Sequence, residues 1–250
     1  MMGNGAEGNT IPRIQTGVPG LDKMLYGGVP IENQVVIAGG PGSGKTLLSF
    51  EILYHNAKQG IPCAFIAFEE RPLDMLRNVK NAYTEFSDID EVIKSKSLIV
   101  EGEELPARME NNEGSDTYSF GNVISYIEEI VQMNDAKIVA IDSVSLLKLL
   151  VENTKALSYR RSIVALMSNL RRLRLTAFLT VEMNSVERQE FRFSPEFFVF
   201  DGVVAMYQTG LDEKRAFNLE IIKMRGTNHS FAFAPYEVTS KGFRIFTIDE

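Results

Sequence analysis

Val35-Val36-Ile37-Ala38 runs directly into Gly39-Gly40-Pro41-Gly42-Ser43-Gly44-Lys45-Thr46 and then into Leu47-Leu48-Ser49-Phe50-Glu51-Ile52-Leu53. An apolar run, a glycine-rich turn and a periodic run closed by Gly60 read as strand, loop and helix. The spacing Gly39-x4-Gly44-Lys45-Thr46 is the phosphate-loop pattern. Its glycines let successive N–H groups turn inward onto phosphate oxygens, and the helix that follows presents its positive end to the anion. Lys45 would reach the β- and γ-phosphates, and the Thr46 hydroxyl would face Mg²⁺. Gly39, Gly40, Pro41, Gly42, Ser43, Gly44, Lys45, Thr46 and Leu47 are therefore the candidate nucleotide-binding residues. A glycine turn ahead of a helix with an exposed lysine is the bland alternative. The position between a strand and a helix favours the nucleotide.

Outward from this loop, strands and helices alternate. Pro62–Phe68 reads as a strand, 72–83 as a helix, Ser97–Val100 as a strand, 119–133 as a helix and Ile138–Ile141 as a strand. A helix over 157–174 and a strand over Ala177–Val181 follow. The alternation predicts an α/β fold of the RecA-like P-loop NTPase kind, with a mostly parallel twisted sheet flanked by helices. From about residue 199 only strands are read, so a C-terminal antiparallel extension is expected, its FNLEIIKM segment exposed on one face. Residues 1–9 read as a flexible N-terminus, and the acidic, aperiodic 102–118 as a mobile loop. Neither a repeat nor a linker composition divides the rest, so 10–250 is expected to be one domain.

Asp142 ends the apolar strand KIVAID, where a second metal-side carboxylate belongs; Thr46 and Asp142 are the candidate metal residues. The same aspartate could simply end a buried strand. Glu69 and Glu70 follow the strand after the phosphate-loop helix. Ligands of such sheets lie at that end, and a carboxylate there can polarise a water for in-line attack. Alone, the pair also reads as two exposed acids before a helix start at Pro72. Lys223 and Arg225, two apart, would project to one face of a strand; alone, they read as an ordinary basic strand end. Thr180 and Glu182 end another core strand, and either sense the γ-phosphate or only close the strand.

These pieces together resemble the KaiC-like branch of the RecA superfamily of ATPases. The resemblance rests on TGVPGLD (16–22), the phosphate loop, CAFIAFEERP (63–72), the Asp142 strand, FLTVE (178–182), FVFDGVVAM (198–206) and KMRGTNHS (223–230), in order over nearly all of 10–248. It implies a slow Mg²⁺-dependent ATP hydrolase acting as a ring-like homo-oligomer, commonly a hexamer, with ATP bound at subunit boundaries. Glu69 and Glu70 would be the family's carboxylate pair, one of them the base. Lys223 and Arg225 would be a finger reaching the neighbour's γ-phosphate, so the implied catalytic set is Lys45, Glu69, Glu70, Lys223 and Arg225. Phe197 and Phe198 stand where self-phosphorylating members carry Ser or Thr, so autokinase activity of that type and a circadian role are not expected. A nucleotide-gated regulator of DNA transactions, with hydrolysis incidental, is the alternative function.

Composition narrows the field further. The 250 residues are 44% hydrophobic and 24% charged, ordinary for a soluble globular chain. A formal net charge of −7 argues against a globally basic nucleic-acid binder. DNA contact near Arg188 and Arg192 is diluted by Glu187, Glu190 and Glu196. One cysteine, Cys63, and two histidines, His55 and His229, exclude a disulfide framework and a zinc cage. No apolar run suits a membrane helix or a signal peptide, so a cytoplasmic location is expected. FFVF (197–200) reads as core packing or as a subunit contact, and Arg171, Arg172 and Arg174 as a solvated helix end.

Overall fold

Gln34–Gly39, the apolar run ahead of the glycine loop, is the strand around which the sheet is built. The computed structural model describes residues 11–102, 120–151, 156–183, 188, 195–209 and 216–247. Residues 1–9, nearly all of the stretch expected to be a mobile loop (103–118), and Glu187, Glu190 and Arg192 lie outside the described residues. In chain order the elements are β1 (Arg13–Ile14), α1 (Pro19–Met24), β2 (Val29–Pro30), β3 (Gln34–Gly39), α2 (Lys45–Lys58), β4 (Cys63–Ala67), α3 (Pro72–Ala82), α4 (Ile89–Lys94) and β5 (Leu98–Gly102). Then come α5 (Phe120–Met133), β6 (Ile138–Asp142), α6 (Ala156–Arg172), β7 (Thr176–Glu182), β8 (Gly202–Thr209), β9 (Ala216–Met224), β10 (Ala234–Thr239) and β11 (Gly242–Ile245), with 3₁₀ turns at Leu146–Val151 and Pro195–Phe198.

The nine-stranded sheet has the order β11-β10-β9-β8-β3-β7-β6-β4-β5. β8, β3, β7, β6, β4 and β5 run parallel to one another, and β9, β10 and β11 continue the sheet from β8 with antiparallel pairings. The mostly parallel sheet with an antiparallel C-terminal extension is thus as the sequence predicts. β3, β4 and β6 are buried throughout, as strands covered on both faces must be. Alternate residues feed two cores. Val35 and Ile37 pack with α1–α4 and the C-terminal hairpin, whereas Val36 and Ala38 pack with α5 and α6. Each fully buried Leu or Phe contributes about 1.5–3 kcal/mol. Among the described residues no helix is long and apolar enough to cross a membrane.

The expectation that FNLEIIKM is exposed on one face needs correction, and α2 too is buried on more than one face, at residues 48–54, 56 and 57. The β10–β11 hairpin covers the remaining face, and the Phe243 N–H donates to the carboxylate of Glu51 at 2.8 Å, itself only 2% exposed. The outward face of β9 is likewise covered. Asn218 donates to Thr209 at 2.8 Å, and Glu220 accepts from Tyr207 at 2.7 Å and from both forks of Arg188 at 3.1 and 2.8 Å. Arg188 also lies over the Phe233 ring. This guanidinium, considered for DNA contact, is committed within the chain.

Candidate functional site

The phosphate loop leaves β3 beside β7 and β8 and enters α2. Gly42 and Gly44 have φ of 73° and 91°, a region that costs a residue with a Cβ about 1–2 kcal/mol. Gly44 caps α2, so the first free N–H groups of that helix belong to the loop and can gather an anion. The Lys45 ammonium donates to the Gly40 carbonyl at 3.0 Å. Burial lowers its pKa, against the pull of Glu182, Asp142 and Glu69, in that order. Those three carboxylates mark where a compact cation sits among acids.

β4 and β6 are paired so that Ala67 faces Asp142. Thr46 donates to one Asp142 oxygen at 2.8 Å and Thr180 to the other. Burial raises the Asp142 pKa, and the two hydroxyls and Lys45 oppose it. A hydroxyl and a carboxylate at the base of the loop are hard oxygen donors, which fits Mg²⁺. Among the described residues no group of three or more His, Cys, Asp or Glu could hold a metal.

Glu69 and Glu70 leave the end of β4 in different directions. Glu69 is hydrogen-bonded to Ser143 and feels Asp142, Glu182 and Lys45. Glu70 accepts from Asn78 of α3 at 2.9 Å. Burial first and the neighbouring acids second raise both pKa values. A base works only when ionised, so with Glu69 in that role kcat/KM rises with pH through an apparent pKa above the usual glutamate value of about 4.3. Glu182→Gln removes one of the negative charges that hold Glu69 up. It therefore moves this acid limb to lower pH, and an acid limb that stays put would remove Glu69 from that role.

Lys223 and Arg225 sit elsewhere. β8 and β9 are out of step between Val203 and Val204, whose partners are Lys223 and Ile221. Ile222 is the extra residue of this bulge, which reverses the side-chain alternation. Lys223 thereby leaves the face of Leu219 and Ile221 and donates to the carbonyls of Phe197 at 3.1 Å and Phe200 at 2.5 Å. Burial, then Arg225, lowers its pKa. Arg225 lies one residue past β9, not on the strand as expected, and bonds to Asp201 at 3.2 Å and to the Phe198 carbonyl at 3.1 Å. The FFVF cluster divides: Phe197 and Phe200 are buried, and Phe198 is 69% exposed. Arg171 shares Asp201 at 3.1 Å, while Arg172 and Arg174 pair with Glu128 and Glu32. The expected solvated helix end is thus a set of half-exposed ion pairs, each worth about 0–1 kcal/mol.

Sequence reasoning left Thr180 and Glu182 between two roles. The structure puts the Thr180 hydroxyl on Asp142 and the Glu182 charge near Lys45. It missed Tyr236 and Phe243, which touch the phosphate loop from the far end of the chain. No local pattern marks either residue.

A phosphate loop at the carboxyl end of the central strand, with a buried aspartate on a neighbouring strand, defines a P-loop nucleotide-binding protein of RecA-like fold. A family model described as "ATPase: KaiC" matches residues 14–250, and the chain belongs to that family. It is 31% identical over 238 residues to the UPF0273 protein of Aeropyrum pernix, covering 94% of both chains. It is 33% identical over 244 residues to the circadian clock oscillator protein KaiC 1 of Synechocystis, of which it spans only 45%. Among solved structures it resembles the KaiC-like protein PH0186 of Pyrococcus horikoshii, with a TM-score of 0.79 at 25% identity over 95% of this chain and 100% of the other.

Proposed function

We propose that this chain is a slow Mg²⁺-dependent ATP hydrolase that works as a ring-like homo-oligomer, each pocket being finished by the adjacent copy. The strand register carries the reading. Lys223 is level with Val203 and hence with Val36, while the phosphate loop begins beyond Gly39. The Cα of Lys223 therefore lies about 10 Å back along the strands from its own loop and about 10 Å across them. Its ammonium turns toward the segment 197–200. A role for Lys223 and Arg225 in phosphate chemistry thus falls on another copy's nucleotide, whose acidic surroundings complement them.

In this reading the N–H groups of Gly42 to Thr46 and the Lys45 ammonium hold the triphosphate. Thr46 and Asp142 hold Mg²⁺, which neutralises phosphate charge when bound. Glu69, facing Lys45 and Asp142, takes the proton of the attacking water, and Glu70, tied to Asn78, supports it. Arg225 from the neighbour meets the charge that grows on the transferred phosphoryl group.

Light-scattering mass measurement without nucleotide, with ADP and with a non-hydrolysable ATP analogue tests this. A ring mass that depends on nucleotide is expected. A monomer under all three conditions that still hydrolyses ATP would overturn the shared-site reading.

A further inference from the structure

The phosphate loop is held from behind by the C-terminal hairpin. The Tyr236 hydroxyl, buried on β10, donates to the Ser43 carbonyl at 2.6 Å. The Ser43 side-chain oxygen has no hydrogen-bond partner among the described residues, so the residue is anchored through its main chain. On β11 the Phe243 ring backs the next residue, its Cζ 2.9 Å from where a Cβ on Gly44 would stand. The rings of Tyr236 and Phe243 are 5.4 Å apart. Phe243 is itself pinned to α2 by its N–H on the Glu51 carboxylate.

The consequence follows from the planarity of the peptide unit. In a trans peptide the C=O of residue 43 and the N–H of residue 44 point in opposite directions. Drawing the Ser43 carbonyl outward, onto Tyr236, aims the Gly44 N–H inward, onto the concave side of the loop. Glycine at φ 91° imposes no side chain to resist rotation of that unit, so an external hold is needed. We infer that Tyr236 is a positioning residue for nucleotide recognition: it sets the Gly44 amide toward the phosphate of a nucleoside di- or triphosphate, with Phe243 as its backing.

The inference rests on the nucleotide-binding reading, and calorimetric titration with ADP and Mg²⁺ separates the two. Wild-type protein that takes up no ADP would remove the reading itself. With wild type binding, Tyr236→Phe keeps the ring and removes the hydroxyl alone. It is expected to raise the ADP Kd about five- to tenfold, the worth of one hydrogen bond, to raise the KM for ATP similarly and to leave kcat within about twofold. Tyr207→Phe removes a buried hydroxyl of the same kind whose partner is the Glu220 carboxylate rather than the loop backbone, and is expected to leave the ADP Kd unchanged. An ADP Kd in Tyr236→Phe equal to wild type, or an equal loss in both variants, would overturn the positioning role. So would a fall in kcat with KM unmoved.

Discussion

Arg225→Ala is expected to lower kcat by about 10³-fold or more, the lower end of what an arginine supplied from a neighbour contributes, or about 4 kcal/mol of barrier. Nucleotide affinity changes far less. The decisive form of the experiment mixes two inactive proteins. Arg225→Ala subunits keep an intact phosphate loop, and Lys45→Ala subunits keep an intact Arg225. In a mixed ring some pockets combine both intact halves, so activity returns on mixing. A residue acting only inside its own subunit gives no recovery. Because Arg225 also pairs with Asp201, a general loosening there has to be separated from a catalytic loss. Arg171→Ala does this: it removes the other cation paired with the same carboxylate and is expected to keep turnover within about threefold, since a half-exposed pair is worth about 0–1 kcal/mol.

The second large effect belongs to the acids that follow β4. Glu69→Gln with Glu70→Gln is expected to lower kcat about 10²- to 10⁴-fold, the range for loss of a general base, and to leave ADP affinity near that of wild type. The single variants divide unequally. Both feel Asp142, but Glu69 alone also feels Lys45 and Glu182, whereas Glu70 is drawn to Asn78, so Glu69→Gln is expected to carry most of the loss. Steady-state turnover of the three proteins, with ADP titration of each, checks this. A double variant with wild-type kcat would remove both residues from proton transfer.

The central strand, the phosphate loop and α2 were legible because their signals are local: a short apolar run, glycines at fixed spacing, and a helical period closed by Gly60. Asp142 was legible for the same reason, as the end of a buried strand. The β1–β2 pair, α1 and α4 were not assigned, since elements of two to six residues carry too few positions to show a period. The direction of Lys223 could not be read either. It depends on a bulge at Ile222, and doubled isoleucines in FNLEIIKM do not say which of them is unpaired. Glu51, Asn218 and Glu220 look like surface residues by type. Glu51 is buried under a strand 192 positions later, whereas Asn218 and Glu220 find their hydrogen bonds on the adjoining strand β8, at Thr209 and Tyr207. Tyr236 belongs with these: its partner lies 193 positions earlier, and no window of sequence contains both.

That separation bears on how the protein is made. The glycine loop leaves the ribosome before the tyrosine bonded to it, which arrives roughly ten to forty seconds afterward at the usual pace of about 5–20 residues per second. A nascent chain thus carries the loop long before its back support exists, and on the inferred role of Tyr236 the full nucleotide affinity is expected only once synthesis has passed the hairpin.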